Sequence, residues 1–227
     1  MDAVRKGLAA LILVAATVVA APATSDDAPV FLPAGSVDAE ALIGPPPAIG
    51  SAAFAEQMTV VLWLQRTRTP DQVAFVEQTL DVERFAPILG AALFQVDAAA
   101  LKTTIDLAID QVRDDYDAVK DVYDLPRPFQ VDDAVDPVGD ARPVASYPSG
   151  HAIRAIVYAR LLAEVFPDHR DALMDLAERV GYGRVVAGVH YPIDITAGQT
   201  LGHAYADVIV AQPAFRDAVV AASASGE

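Results

Sequence analysis

Apolar residues recur at helical spacing over most of the chain beyond residue 51. Between Leu101 and Tyr123, seven apolar side chains follow one another in steps of three and four, which makes one face of an amphipathic helix. The stretch AFAEQMTVVLWLQRT indicates another, mostly apolar helix, and Thr69-Pro70 is typical of the N-cap and first turn of the next. Period-two alternation is scarce, so the pattern predicts an all-α, single-domain helical bundle.

Three further helices are expected towards the C terminus. They begin just after residue 150, at about residue 168 and near residue 192, and an irregular acidic loop at 129–147 precedes them. In the last of these helices, Gly198 and Gly202 lie one turn apart. We expect this pair to permit close contact with a neighbouring helix, because glycine has no side chain.

The N-terminal residues follow a different pattern. A basic start, MDAVRKG, precedes the apolar run LAALILVAATVVA and the small-x-small sequence APA. This order is typical of a cleaved signal peptide at 1–23, although an uncleaved membrane anchor is the alternative interpretation. The run is shorter than the roughly 20 residues that a bilayer span needs. We therefore expect a periplasmic or secreted protein, with an extended Pro/Gly-rich arm at 24–50 and the helical domain at 51–221.

The composition limits the partners of the chain. Its formal net charge of −15 disfavours nucleic acid and anionic membrane surfaces. The absence of cysteine excludes disulfides, thiolate metal ligands and a cysteine nucleophile. No later segment is both long and charge-free, so no stable membrane insertion is expected after signal cleavage. Whether the chain forms a homo-oligomer stays open. An anionic small molecule would need a local cluster of positive charge.

Two short segments offer such groups near the middle of the chain. In KDVYDLPRP, Lys120 lies at the border of the apolar helix face and Arg127 lies in a stiff turn between two prolines. In SYPSGHAI, Ser149 and Gly150 would open a helix whose free N–H groups suit an oxyanion, with His151 beside them. Taken separately, a snorkelling lysine, a loop arginine and a capped helix start explain both segments.

A third segment, GRVVAGVHYPID, pairs a histidine with a carboxylate. His190 and Asp194 are four residues apart at a predicted helix start, so the carboxylate could fix the imidazole tautomer and leave one nitrogen free to attack. Arg184 lies six residues before the histidine and could bind the same anion through its planar fork of donors. The alternative is a histidine that is hydrogen-bonded within the core.

The three segments together change the interpretation. They supply three cations, a hydroxyl with helix-start amides, and two histidines, one of which has a carboxylate partner. Phosphoryl transfer without a metal requires such a set: positive groups around the phosphate oxygens, a nucleophile, and an acid for the leaving oxygen. The sequence thus predicts no cofactor and no metal.

The order K-x6-R-P, then P-S-G-H, then R-x5-H-x3-D resembles the three-part signature of the type 2 phosphatidic acid phosphatase superfamily. Within it the chain looks most like the class A bacterial non-specific acid phosphatases, and the similarity covers most of residues 42–221. The resemblance implies the helical fold shared by the acid phosphatases and vanadium haloperoxidases. It also implies an exported acid phosphatase that hydrolyses small-molecule phosphate monoesters through a phosphohistidine intermediate.

The resemblance also implies a role for each matching residue. His190 would be the nucleophile, Asp194 its orienting partner, and His151 the acid that protonates the leaving group and then activates water. The remaining matches would bind the phosphate oxygens; they are Lys120, Arg127, Ser149, Gly150 and Arg184.

Two departures and three alternatives accompany this prediction. Gly183 stands where the third motif usually has serine, and Ala152 stands where acid phosphatases commonly have threonine, which bears on rate and substrate preference. A vanadate-dependent haloperoxidase would use the same anion cradle. A lipid phosphate or polyprenyl diphosphate phosphatase fits the third motif nearly as well, but such enzymes normally carry several transmembrane helices. A phosphate-binding protein without turnover would need the cations but neither histidine.

Overall fold

A computed structural model describes residues 28–224 of the chain. Within this part the regular secondary structure is helical and contains no strand, which confirms the all-α prediction. Short 3-10 turns connect several of the helices. The α-helices are α1 (Ala39–Ile43), α2 (Ala52–Thr67), α3 (Pro70–Val76), α4 (Ala86–Leu89), α5 (Ala98–Tyr123), α6 (Pro128–Val131), α7 (Gly150–Val165), α8 (Arg170–Val186), α9 (Pro192–Ala211) and α10 (Pro213–Ala224).

Capping side chains explain where the first long helices begin. Ser51 Oγ accepts a hydrogen bond from the N–H of Phe54 at the start of α2. At the start of α3, Thr69 forms the predicted cap as part of a capping box with Gln72. The predicted apolar face of α5 is confirmed, since six of its seven members are buried; they are Leu101, Ile105, Ala108, Val112, Tyr116 and Val119.

Helix α7 forms the centre of the bundle and packs against α5, α8 and α9. The contact with α9 is close because α9 presents glycine to it. A Cβ atom on Gly198 would lie 2.7 Å from the Ser149 carbonyl oxygen, and one on Gly202 would lie 2.8 Å from the Ile153 carbonyl oxygen. The expectation that this glycine pair permits close helix contact is therefore confirmed.

The segment that precedes α2 packs against the bundle. Phe31 is buried, and the Gln111 side chain on α5 accepts hydrogen bonds from the N–H groups of Phe31 and Leu32. The Tyr147 hydroxyl contacts the carbonyl oxygens of Ile43 and Gly44 at 3.1 and 3.0 Å. The described part of the arm, 28–50, thus contains one short helix and contributes to the core.

The predicted signal peptide at 1–23 lies outside the described residues. Among residues 28–224, no helix is long and apolar enough to span a bilayer.

Four helix ends and one loop meet at one end of the bundle. Backbone hydrogen bonds join them there: the Ser146 N–H donates to the Leu125 carbonyl, the Ser149 N–H to the Asp194 carbonyl, and the Val138 N–H to the Ala187 carbonyl. The end of α5, the start of α7, the end of α8 and the start of α9 therefore surround a common space, with residues 132–149 along its side.

Candidate active site

A cavity of about 390 Å³ occupies this end of the bundle. Six of the eight predicted site residues line it, and these are Lys120, Arg127, Gly150, His151, Arg184 and His190. The other two lie directly behind its wall, because Asp194 contacts His190 and the Ser149 N–H donates to the Asp194 carbonyl. The three sequence segments thus meet at one cavity, as predicted from their combined chemistry.

The segment that leads into α9 carries the histidine, and the first turn of α9 carries its carboxylate partner. His190 Nδ1 lies 2.9 Å from Asp194 Oδ2, and both side chains are 1% exposed or less. The same carboxylate oxygen accepts the N–H of Tyr191 at 2.9 Å, which caps the helix and fixes the carboxylate. Because Asp194 accepts at Nδ1, the nitrogen left free for chemistry is Nε2.

Ser146 is a further member of this group that was not predicted from the sequence. Its hydroxyl donates to Asp194 Oδ2 at 2.5 Å and lies 3.3 Å from His190 Nδ1, and its side chain is buried. It is the first serine of the SYPSGH stretch, three residues before Ser149. A second serine beside the motif was the only feature of the sequence that could have marked Ser146. It did not indicate that the hydroxyl contacts a carboxylate 48 residues away.

Burial sets the protonation of the histidine–carboxylate pair. It lowers the pKa of His190 well below its ordinary value, and the nearby Arg127 and Lys120 lower it further. Burial raises the pKa of Asp194 to about 6, although the hydrogen bonds from Ser146 and the Tyr191 amide oppose that rise. Near neutral pH the pair is therefore a neutral imidazole beside a carboxylate. In this form the free ring nitrogen has a lone pair and can act as a nucleophile.

Loop carbonyls position the two cations of the first segment. Lys120 Nζ donates to the Ala145 carbonyl at 2.8 Å, and Arg127 donates to the carbonyls of Val144 and Val189 at 3.0 and 3.2 Å. Burial, followed by the charge of Arg127, lowers the pKa of Lys120 to about 8. An anion in the cavity would relieve this repulsion and favour the charged ammonium.

The start of α7 places Gly150 and His151 at the cavity. Ser149 is the N-cap of the helix, and its hydroxyl accepts the Ala152 N–H at 3.4 Å. A Cβ atom on Gly150 would lie 2.9 Å from the Tyr116 ring, so glycine is required here for packing against α5. Burial and the charges of Arg184 and Arg154 lower the pKa of His151 well below its ordinary value.

Arg184 comes from the last turn of α8. It is 5% exposed, and its Nε has no hydrogen-bond partner among the described residues. Burial, followed by repulsion from Arg127, lowers the pKa of Arg184 to about 10. The neighbouring Gly183 faces α3, where a Cβ atom would lie 2.8 Å from Val76 Cγ1. The space that the usual serine would need is thus filled by the packing of α3.

Sequence reasoning also missed the charged residues at the mouth of the cavity. Three arginines and three aspartates line it there, namely Arg113, Arg142, Arg154, Asp117, Asp121 and Asp140. Neither their spacing nor any motif marked them, since they come from α5, the loop and α7. Across residues 28–224, no group of three or more His, Asp or Glu side chains is arranged to hold a metal ion. The prediction of a metal-free site stays a prediction.

The relatives of the chain include acid phosphatases. It is 28% identical over 167 residues to an acid phosphatase of Zymomonas mobilis, which covers 69% of this chain and 63% of that protein. It is 23% identical over 198 residues to a non-specific acid phosphatase of Providencia stuartii, which covers 80% of this chain and 77% of that one. A lipid A 1-phosphatase of Rhizobium etli is 39% identical over 57 residues, 25% of each chain.

Comparison of folds gives a related result. A transmembrane PAP2-type phosphatidylglycerolphosphate phosphatase from Bacillus subtilis has a similar structure, with a TM-score of 0.55 at 20% identity over 71% of this chain and 87% of that one. At this identity the likeness concerns the fold alone. The PAP2 superfamily model matches residues 98–217, from the start of α5 into α10, which includes all three motifs. By this match the chain belongs to the PAP2 superfamily.

Proposed function

We propose that this protein is an exported acid phosphatase that hydrolyses phosphate monoesters by double displacement through His190. The observation that carries the proposal is the buried His190–Asp194 pair, which opens onto a cavity lined by cations. Asp194 occupies Nδ1, so only Nε2 is free to attack a phosphorus atom held in the cavity. The family match and the acid phosphatase relatives support the same reaction class.

In the first step, the lone pair of His190 Nε2 forms a bond to phosphorus while the ester P–O bond breaks. Protonated His151 gives its proton to the leaving oxygen, which departs as an alcohol. In the second step, neutral His151 takes a proton from water, whose oxygen attacks phosphorus. The P–N bond then breaks, which releases phosphate and restores His190.

The cations of the cavity suit the charge that this reaction places on phosphate. Lys120, Arg127 and Arg184 come from three elements and line the same cavity, and the structure shows no ion pair for any of them among residues 28–224. Burial is the main cause of the lowered pKa values of Lys120 and Arg184, and repulsion from Arg127 lowers both further. A phosphoryl group would neutralise them, and more fully in the transition state.

The test is hydrolysis of p-nitrophenyl phosphate between pH 4 and pH 9 by the mature protein, with EDTA present throughout. We expect activity that is highest at acid pH, is inhibited by vanadate, and falls at least about 10⁴-fold in His190→Ala. The matched control is His203→Ala, because His203 lies half-buried on α9, the helix that carries Asp194, and contacts Arg160 outside the cavity. Loss of activity in EDTA that a divalent metal restores, or substantial activity in His190→Ala, would contradict the proposal.

A lipid phosphate is the second candidate substrate, favoured by the match to lipid A 1-phosphatases, which is short but has 39% identity over its 57 residues. The same proteins should be assayed with a detergent-solubilised lipid phosphate. A kcat/KM for the lipid well above that for p-nitrophenyl phosphate would select this substrate class while leaving the roles of His190 and His151 unchanged.

A further inference from the structure

The active-site cavity continues past His151 into a second cavity of about 300 Å³. The two share most of their charged lining residues, namely Arg113, Asp140, Arg142, His151, Arg154 and Arg184. His190 lines only the first cavity, whereas His151 lines both. Under the proposed function, on which this inference rests, a substrate phosphate at His190 would place its leaving group beside His151. The leaving group would then extend into the second cavity.

Three arginines that belong to none of the motifs surround this extension. Arg113 comes from α5, Arg142 from the loop and Arg154 from α7, so the fold brings them together from three separate elements. Among residues 28–224, neither Arg113 nor Arg154 forms an ion pair. Arg142 pairs only with Asp140, at 2.8 Å, and both side chains are more than half exposed.

The position of Arg154 is fixed by the backbone of its own helix. Its Nε donates to the Gly150 carbonyl at 3.2 Å, and its charge acts on the Tyr116 hydroxyl. The hydrogen bond holds a guanidinium at the junction of the two cavities without neutralising it. Its positive charge acts on His151, as do those of Arg184 and Arg142, since all three lower the pKa of that histidine.

Acidic residues also line the cleft, but they do not outnumber the cations. The second cavity has four arginines against Glu77 and Asp140. Such an excess is unusual on a chain of net charge −15, where most anions would be repelled. Lys120, Arg127 and Arg184 at the first cavity are sufficient to bind the phosphoryl group that is transferred. The outer arginines, Arg113, Arg142 and Arg154, are therefore available for a second anionic group.

We propose that Arg113, Arg142 and Arg154 form a second phosphate subsite, and that the preferred substrates are small bisphosphates whose leaving group carries the second phosphate. Arginine is suited to this role because its planar fork of donors binds two oxygens of one phosphate. The subsite selects the substrate, while the reacting groups remain those of the first cavity.

The experiment compares glucose 1,6-bisphosphate with glucose 6-phosphate for the full mature protein. The wild type should show a kcat/KM for the bisphosphate that is at least about tenfold higher, mainly through a lower KM. In Arg113→Ala/Arg154→Ala this ratio should fall towards one. Arg66→Ala is the matched control, an exposed arginine on α2 that lines neither cavity, and it should keep the wild-type ratio. Arg142→Ala, at a side chain that is 69% exposed, provides a second variant if the double substitution does not fold.

Binding separates this inference from the proposed function. Calorimetry on His190→Ala should show tighter binding of glucose 1,6-bisphosphate than of glucose 6-phosphate, and adding the outer substitutions should abolish the difference. This preference without any hydrolysis by the wild type would overturn the proposed function but support the subsite. Hydrolysis with a ratio near one, or a ratio unchanged by the outer substitutions, would overturn the subsite alone. Adenosine 3′,5′-bisphosphate as a third probe distinguishes nucleotides from sugar phosphates.

Discussion

The floor and the mouth of the candidate active-site cavity are built differently. The floor is formed by His190, with Ser146 and Asp194 directly behind it. All three are 1% exposed or less and are joined by hydrogen bonds to one carboxylate oxygen. The mouth arginines carry charge without a buried counterion, and the Arg142 side chain is 69% exposed. The difference indicates that the floor is preorganised for one reaction. The arginines at the mouth are instead able to pair with a charged group of the substrate.

His151 lies between floor and mouth, and its removal should have a larger effect on the rate than the loss of Ser146 from the floor or of Arg154 from the mouth. We expect His151→Ala to lower kcat/KM for glucose 6-phosphate about 10²–10⁴-fold, because an alkoxide is a poor leaving group without a proton. The loss of kcat/KM for p-nitrophenyl phosphate should be much smaller, since nitrophenolate leaves unprotonated and kcat/KM does not include the later attack of water. Steady-state kinetics on both substrates check this, and equal losses of kcat/KM would show that His151 is not the acid.

Ser146→Ala tests whether the floor depends on its third member. We expect kcat to fall about tenfold, because Asp194 loses a buried hydrogen bond that helps to hold His190. That bond lowers the pKa of Asp194, so its removal raises the pKa further above about 6. The carboxylate would then be protonated at higher pH, and the acidic limb of the kcat/KM profile should move upward in pH.

A purely structural role for Ser146 would lower the rate without moving that limb. Thr200→Ala is the matched control, because it removes a hydroxyl on α9 that bonds only to the carbonyl one turn earlier.

Arg154→Gln should produce the smallest effect, a shift in pH dependence. Burial and the charges of Arg184, Arg154, Arg127 and Arg142 lower the pKa of His151. Removing one of these charges raises that pKa, so the acid stays protonated to higher pH. The basic limb of the kcat/KM profile should therefore move upward by about half a pH unit.

The control for this shift is Arg66→Ala, which should leave the limb in place. A downward shift in Arg154→Gln would indicate that another group controls the basic limb.

The sequence predicted the floor more completely than the mouth. The apolar face of α5 and the four-residue spacing of His190 and Asp194 are local patterns, and the structure preserves both. Ser146 could not be assigned, because its partner is 48 residues away and no spacing rule joins them. Gly150 was predicted as part of an oxyanion site, and the structure adds a packing requirement for glycine, because a Cβ atom there would lie 2.9 Å from the Tyr116 ring on α5.

The residues at the mouth could not be predicted from the sequence for a related reason. Arg113 lies among aspartates on α5, as do many solvated helix residues, and Arg142 lies in a loop without a regular pattern. Only the tertiary arrangement of α5, α7 and the loop shows that these side chains share one cleft.

The glycines of α9 have a consequence for how this chemistry can evolve. A methyl group on Gly198 would meet the Ser149 carbonyl and the Ala152 Cβ at 2.7 and 2.9 Å. The helix that carries His151 and the helix that carries Asp194 are thus in direct backbone contact, with no space for a side chain between them. That spacing fixes His151 relative to Asp194, the partner of His190. We expect changes of substrate preference to arise in the loop and in Arg113, Arg142 and Arg154 rather than at this helix contact.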